Sequence, residues 1–89
     1  IKYILASGYY AEIYTKEHKY VLRESLKHLI KQLNKSYFFR IHRSTIVNIN
    51  FIKEIVHSDF SEVDVRMKDN KLIRVSKSRK KDFLLQIGM

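Results

Sequence analysis

The sequence predicts one domain that is mainly β with short helices. β-branched and aromatic residues, which favour strands, recur in short runs along most of the chain. The apolar spacing of an amphipathic helix is present in two short segments. The 89 residues include no proline and two glycines, so no flexible linker divides residues 1–89 into separate domains.

The first part of the chain is predicted to form three strands and a helix. The predicted strands cover residues 1–5, 9–15 and 19–22. Gly8 lies between the first two and can supply the positive φ of a turn. Four apolar residues then follow the i, i+3, i+4, i+7 spacing of a helix: Leu26, Leu29, Ile30 and Leu33. Ser25 precedes this helix as an N-cap, and Asn34 marks its end.

The second part is predicted to form four strands and a short helix. The predicted strands cover residues 37–41, 51–56, 61–67 and 71–75. Asp69 and Asn70 form a turn that makes a hairpin of the last two. Residues 42–48 are ambiguous between a helical turn and a strand. A helical turn there would compete with the strand preference of their β-branched residues. The last helix begins at Ser76 or Ser78.

The predicted helices and strands place eight apolar side chains in the core. The predicted core residues are Leu26, Leu29, Ile30, Leu33, Phe39, Ile41, Ile55 and Phe83. Leu84 and Ile87 are expected to share the buried side of the last helix.

Charge indicates the kind of partner. The chain has 18 Lys and Arg against 9 Asp and Glu, a net charge of +9. Two segments, residues 25–53 and 71–81, contain no acidic residue. This balance favours a polyanion, nucleic acid first and an anionic membrane surface second. A basic surface that only aids solubility is the alternative.

The sequence lacks the motifs of several other protein classes. There is no cysteine, which excludes disulfides and cysteine-based zinc sites and fits a reducing, cytoplasmic compartment. No P-loop or dinucleotide fingerprint is present, and the histidines lack metal-ligand spacing. The acids near the predicted hairpin show no pairing suited to acid–base catalysis: Asp59, Glu62, Asp64 and Asp69. We therefore expect no enzyme activity, no cofactor and no metal.

Arg40, His42 and Arg43 form the first candidate site. If Phe39 and Ile41 point inward on a strand, Arg40 and His42 share the opposite, exposed face, and Arg43 follows at the strand exit. Arginine can bind guanine or a phosphate with two parallel hydrogen bonds, and histidine can donate to either. A solvated strand face is the alternative interpretation.

The second and third candidates lie at the start of the last helix and in the first turn. Arg79 and Lys80 would lie at the positive end of the helix dipole, which is unfavourable unless a phosphate binds there. A frayed basic helix end is the alternative. In the first turn, Tyr9 and Tyr10 could stack on or bond to nucleic acid, although tyrosine in a strand more often serves packing.

These residues resemble the LytTR DNA-binding domain of bacterial response regulators. The matching segments are FFRIHRS at residues 38–44, IVN at 46–48, IKEI at 52–55 and IRVSKS at 73–78. Further matches at residues 1–4, 8–10 and 23–26 extend the resemblance over essentially the whole chain. The central segment is the most specific of these.

The resemblance implies an elongated stack of short antiparallel β-sheets that reads DNA with loops. The loops correspond to residues 9–12, 42–44 and 77–81, and they would enter successive major grooves. Arg43 and Arg79 occupy positions of base-contacting residues, with His42 assisting. The first loop carries no basic residue at its tip, so backbone contact through Tyr9 or Tyr10 is expected there. Lys35 and the lysines of the last helix would contact phosphates.

We therefore expect a sequence-specific, double-stranded-DNA-binding output domain of a bacterial transcriptional regulator. The first residue is Ile1 and not Met, so we expect an upstream receiver or other regulatory domain. Paired binding to promoter direct repeats is expected, with the isolated domain monomeric. The predicted DNA-binding residues are Tyr9, Tyr10, Arg40, His42, Arg43, Ser44, Lys77, Ser78, Arg79, Lys80 and Lys81. The alternatives are a basic protein-interaction module, an anionic-membrane-surface module and an RNA-binding domain.

Overall fold

The structure is a computed structural model that describes residues 1–58 and 60–88. Within those residues the strands are β1 (Tyr3–Ser7), β2 (Tyr10–Tyr14), β3 (Lys19–Leu22), β4 (Phe38–His42), β5 (Thr45–Asn48), β6 (Ile52–His57), β7 (Val63–Met67) and β8 (Leu72–Val75). The α-helices are α1 (Leu26–Gln32) and α2 (Lys77–Gln86), and a single 3₁₀ turn spans Ile49–Phe51. The mainly β prediction is therefore confirmed. Asp59 lies outside the described residues.

Two antiparallel sheets make up the domain. The larger has the strand order β3-β2-β1-β5-β4, and the smaller is the meander β6-β7-β8. The molecule measures 36 × 25 × 24 Å along its principal axes, so the expected elongated arrangement of short sheets is confirmed. The turn before β8 contains Asn70 at φ 74°, as the predicted Asp-Asn hairpin requires.

The main core lies between the two sheets. Strand β7 shows the one-sided pattern of a sheet that is buried on one face: Val63, Val65 and Met67 are buried and alternate with partly exposed residues. These side chains meet Tyr3 and Val47 of the larger sheet. Helix α2 closes this layer with Phe83, which is fully buried.

A second core lies on the opposite face of the larger sheet. Ile4 and Ile46 pack there against Leu26 and Leu29 of α1. Because neighbouring residues of a strand face opposite sides, β5 and the first two residues of β1 are buried on both faces. This explains the ambiguity of residues 42–48, since a strand buried on both sides lacks the polar alternation that identifies strands.

The predicted core is confirmed in its main members. Leu26, Leu29, Ile41 and Phe83 are buried. The other four, Ile30, Leu33, Phe39 and Ile55, are partly buried and pack against one of the two cores. Helix α1 begins after Ser25, whose hydroxyl oxygen accepts a hydrogen bond from the His28 amide, as predicted for an N-cap.

In residues 1–58 and 60–88, no helix is both long enough and apolar enough to cross a membrane. The same residues contain no group of three or more His, Cys, Asp or Glu side chains placed to hold a metal ion.

Candidate nucleic-acid interface

The three predicted DNA-contacting segments lie at one end of the molecule. Leu5 pairs with Thr45, and the Ala6 amide donates to the Ser44 carbonyl oxygen at 2.8 Å, which brings the β1–β2 and β4–β5 turns together. The Ser76 amide donates to the Ile41 carbonyl oxygen at 2.7 Å, which places the start of α2 beside the end of β4. We call this region, residues 8–9, 43–44 and 76–81, the loop end.

A β-bulge in β4 corrects one prediction. Arg40 is opposite Ile46 and His42 is opposite Thr45, so Ile41 is an extra residue and the strict alternation of faces ends there. Arg40 lines the clefts towards α1 and α2, whereas His42 lines two clefts beside β8. The two side chains therefore do not share one exposed face.

His42 is held in a defined orientation by Ser44. The Ser44 amide donates to His42 Nδ1 at 3.2 Å, and the Ser44 hydroxyl lies 2.8 Å from the same nitrogen. An amide can only donate, so Nδ1 acts as an acceptor and the ring proton is on Nε2. The half-buried imidazole thus presents Nε2–H as a hydrogen-bond donor.

Arg40 supports the β4–β5 turn from within. Its Nη2 donates to the Arg43 carbonyl oxygen, while its Nε is buried with no hydrogen-bond partner among the described residues. Burial lowers the pKa of the Arg40 guanidinium, and the positive charge of Arg79 lowers it further. Arg43 itself remains exposed at the tip. Arg40 therefore stabilises the turn, and Arg43 is the arginine that the turn exposes to solvent.

The start of α2 lies where it was predicted, but it lacks the side-chain capping hydrogen bond. Ser76 occupies the N-cap position, but its hydroxyl makes no capping hydrogen bond and is buried without a partner in the described part of the chain. The amides of Lys77 and Ser78 likewise have no acceptor among residues 1–58 and 60–88. A helix start with free N–H groups and basic side chains is able to bind a phosphate.

The basic side chains of α2 project in different directions. Arg79 lines a cleft with Arg40 and Lys35. Lys80 reaches the other way, and its Nζ donates to the Ser61 carbonyl oxygen at 2.9 Å. Lys77 and Lys81 are exposed. Helix α2 therefore contributes positive charge on both sides of β4.

The β1–β2 turn presents tyrosines. Gly8 has φ 60°, the left-handed conformation that favours glycine. Tyr9 is 80% exposed and Tyr10 is 48% exposed. Neither side chain belongs to a hydrophobic core, so core packing does not explain the presence of these two aromatic residues.

Arg23 was missed by sequence reasoning. Its guanidinium lies over the Tyr9 ring, 5.7 Å from the centroid. The β2–β3 register pairs Ala11 with Leu22, so one further step brings Arg23 opposite Tyr10 at the loop end. The sequence held one signal for this position. The short polar connection between β2 and β3 fixes their register, and the register places Arg23 opposite Tyr10.

Cations of the loop end are not neutralised by acids that the structure describes. The five ion pairs in residues 1–58 and 60–88 use Lys2, Lys19, Arg66 and Arg74. Arg74 alone contacts both Glu62 and Asp64. The predicted site cations take no part in these pairs: Arg40, Arg43, Lys77, Arg79, Lys80 and Lys81.

Comparisons with known proteins match the sequence and the fold to one family. Residues 1–88 match the LytTr DNA-binding domain family. The LytTr DNA-binding domain of a putative methyl-accepting/DNA response regulator from Bacillus cereus has the same fold, with a TM-score of 0.93 and 29% sequence identity. That match covers 100% of this chain and 82% of that one.

Two regulators match at the level of sequence. The transcriptional regulatory protein LytR of Staphylococcus aureus is 39% identical over 77 residues, 86% of this chain and 31% of that protein. The transcriptional regulatory protein YpdB of Escherichia coli is 36% identical over 83 residues, 84% of this chain and 34% of that protein. The chain thus spans about a third of the length of these relatives. Since the family match extends over residues 1–88, the chain belongs to the LytTr DNA-binding domain family, and its function is that of a DNA-binding domain and not of an enzyme.

Proposed function

We propose that the loop end binds double-stranded DNA in a sequence-specific manner. One observation carries this proposal: two separate chain segments, the β4–β5 turn and the start of α2, bring cations to one end of the molecule beside the β1–β2 turn, and none of the described acids pairs with them. Phosphates attract such a surface at long range, and loops can present side chains to base edges.

Within this interface, Arg43 and Arg79 are the proposed base-contacting residues. Arg43 is exposed on a turn that Arg40 braces, so its guanidinium is free to bind guanine O6 and N7 in the major groove. Arg79 lies on the other side of Arg40. His42 assists by donating from Nε2. We propose that the two arginines enter successive major grooves.

The remaining residues are proposed to position the protein on the backbone. The free N–H groups at the start of α2 suit a phosphate, and nearby lysines add charge. Tyr9 and Tyr10 contribute from the first turn. The proposed backbone-contacting residues are Tyr9, Tyr10, Lys35, Ser44, Lys77, Ser78, Lys80 and Lys81.

The full-length protein is proposed to be a cytoplasmic response regulator. The relatives are named transcriptional regulatory proteins and are about three times as long as the matched segment. An upstream receiver domain would use that extra length, and its phosphorylation would promote paired binding to direct repeats in a promoter. The isolated domain would bind as a monomer.

The test separates residues that read bases from those that hold phosphates. A duplex selected from a random library by the wild-type chain serves as operator, and a mixed-sequence duplex serves as the reference. Arg79→Ala and Arg43→Ala are each expected to lose about 1–3 kcal/mol on the operator and far less on the reference. Each should relax specificity at different base pairs, because Arg43 lies on the β4–β5 turn and Arg79 lies in the first turn of α2.

Lys35→Ala is the matched control. We expect it to weaken both duplexes alike and to make the salt slope shallower by at most about one unit. Equal losses on both duplexes for Arg79→Ala and Arg43→Ala would make these residues phosphate contacts. Specificity would then have to come from DNA shape, and the assignment of base readers would be wrong.

A further inference from the structure

A cleft of ≈ 420 Å³ separates the β1–β2 turn from the start of α1. It is lined by Tyr9, Arg23 and Lys27 together with Arg40 and Arg43 of β4 and its turn. Four cations therefore face one open space, and two of them, Arg23 and Lys27, lie outside the segments assigned to DNA contact. We call it the first-turn cleft.

Arg23 and Tyr9 contact each other outside the hydrophobic cores of the protein. Tyr9 is 80% exposed, and the Arg23 guanidinium carbon lies over its ring, 5.7 Å from the centroid. Both residues lie outside the two cores. A cation over an aromatic face is attracted by the ring electrons, so Tyr9 restricts where an otherwise mobile arginine points.

Such a contact leaves the hydrogen-bonding edge of the arginine free. A guanidinium stacks through its flat face, whereas its five N–H donors lie in the plane and point outwards. In residues 1–58 and 60–88, Arg23 makes no ion pair and no side-chain hydrogen bond. Its donors are therefore available for a planar pair of acceptor oxygens, as a phosphodiester provides.

We infer that Arg23, held by Tyr9, binds a backbone phosphate of the DNA duplex in the first-turn cleft. This inference rests on the proposed function, because Arg43 shares the cleft and fixes which part of the duplex passes it. The first turn lacks a basic residue at its tip, and Arg23 supplies that charge from the β3–α1 connection. Tyr9 is then a positioning residue for Arg23.

The charges around the cleft favour a phosphate over a neutral ligand. Glu24 is the one acid that lines it, against four cations. The cleft is open to solvent and Arg43 in its lining is exposed, so an extended polymer can reach it. A phosphate contact there would lie next to base pairs that Arg43 reads.

The experiment measures dissociation constants over a range of salt for the operator and mixed-sequence duplexes. Arg23→Gln is expected to weaken both alike, by about 3- to 10-fold, and to make the log–log salt slope shallower by about 0.9. Lys16→Gln is the matched control. It removes a cation that also lies over an aromatic ring, that of Phe51 at 6.0 Å, but beyond the opposite end of β2. We expect its binding to stay within about twofold of wild type.

Variants of Tyr9 test the positioning role. Tyr9→Leu should weaken binding, and Tyr9→Phe, which keeps the ring, should bind closer to wild type. In the Arg23→Gln background, Tyr9→Leu should cause little additional loss, because its effect acts through Arg23. Thermal unfolding of each variant checks that the fold is retained.

The outcomes separate this inference from the proposed function. If the wild-type chain showed no salt-dependent binding to duplex DNA, the proposed function itself would fail. If the wild type bound but Arg23→Gln bound as well as Lys16→Gln, this inference alone would be overturned. Full additivity of Tyr9→Leu and Arg23→Gln would overturn the positioning role of Tyr9.

Discussion

Asp69 links the β7–β8 turn to the beginning of the chain. Its carboxylate accepts hydrogen bonds from the Tyr3 hydroxyl at 2.7 Å, from Lys2 Nζ at 3.1 Å and from the Lys71 amide at 3.0 Å. Burial tends to raise the pKa of Asp69, but these donors hold it below its usual value. Burial and Asp69 raise the pKa of Tyr3, so the shared proton stays on the tyrosine.

This contact predicts a pH-dependent stability. Because the pKa of Asp69 is lower in the folded state, its contribution is present above the unfolded pKa of about 3.9 and is lost as pH falls through the folded value. Tyr3→Phe should therefore reduce the free energy of unfolding more at about pH 7 than at about pH 2.5. Denaturant unfolding at both pH values measures this.

Tyr10→Phe is the control for the loss of a hydroxyl. Tyr10 is exposed and makes no side-chain hydrogen bond within the described residues, so no pH-dependent loss is expected. An equal loss for Tyr3→Phe at both pH values would show that its hydroxyl does not stabilise the Asp69 carboxylate.

Single side chains were predictable where local rules decide. Ser25 as an N-cap and Asn70 in a turn follow from preferences of residue type, and the structure confirms both. The direction of His42 was not predictable from alternation, because the bulge at Ile41 depends on how β4 pairs with β5. The missing cap hydrogen bond of Ser76 likewise depends on burial by neighbouring elements.

At the scale of elements, α2 is held against β4 at two points. The Ser76 amide bonds to the Ile41 carbonyl oxygen, and the ring of Phe83 lies 5.5 Å from that of Phe39. Periodicity identified Phe83 as buried, but it could not show that β4 lies beneath α2. That contact places Arg79 beside Arg40.

Removing the Phe83 ring should therefore weaken the attachment of α2. Phe83 is fully buried, so Phe83→Ala is expected to reduce the free energy of unfolding by about 3–5 kcal/mol. Leu85→Ala changes a residue of the same helix that is 64% exposed and should cost no more than about 0.5 kcal/mol. Similar small losses for both variants in denaturant titrations would mean that α2 does not stabilise the fold through Phe83.

At the scale of the whole molecule, sequence reasoning succeeded where one segment carried the information. Both helices, the basic segments and the strands other than β5 were visible locally, whereas residues 42–48 stayed ambiguous. The loop end was expected only through family resemblance, since it requires β1 to pair with β5 across about 40 residues. Arg23 was missed because its position beside Tyr9 arises from the pairing of β2 with β3 and not from its neighbours in sequence.

Binding of duplex DNA should weaken steeply as salt increases. If about four to six phosphates are neutralised, the slope of log affinity against log salt should lie near about −4 to −5. A net charge of +9 alone could also produce salt dependence. The effect of where the cations lie must therefore be tested separately from the effect of the net charge. Titrations of the wild-type chain over a range of salt give the slope.

Two double variants with the same net charge make that separation. Lys77→Gln with Lys81→Gln removes two cations of the loop end and should make the slope shallower by about two units. Lys16→Gln with Lys53→Gln removes two cations beside Phe51 and Asn70, at the other end of the sheets, and should leave the slope nearly unchanged. Phosphate contacts release counterions only where the duplex lies, whereas net charge acts from any position. Equal changes of slope in the two variants would therefore show that binding follows net charge, and the loop end would not be the interface.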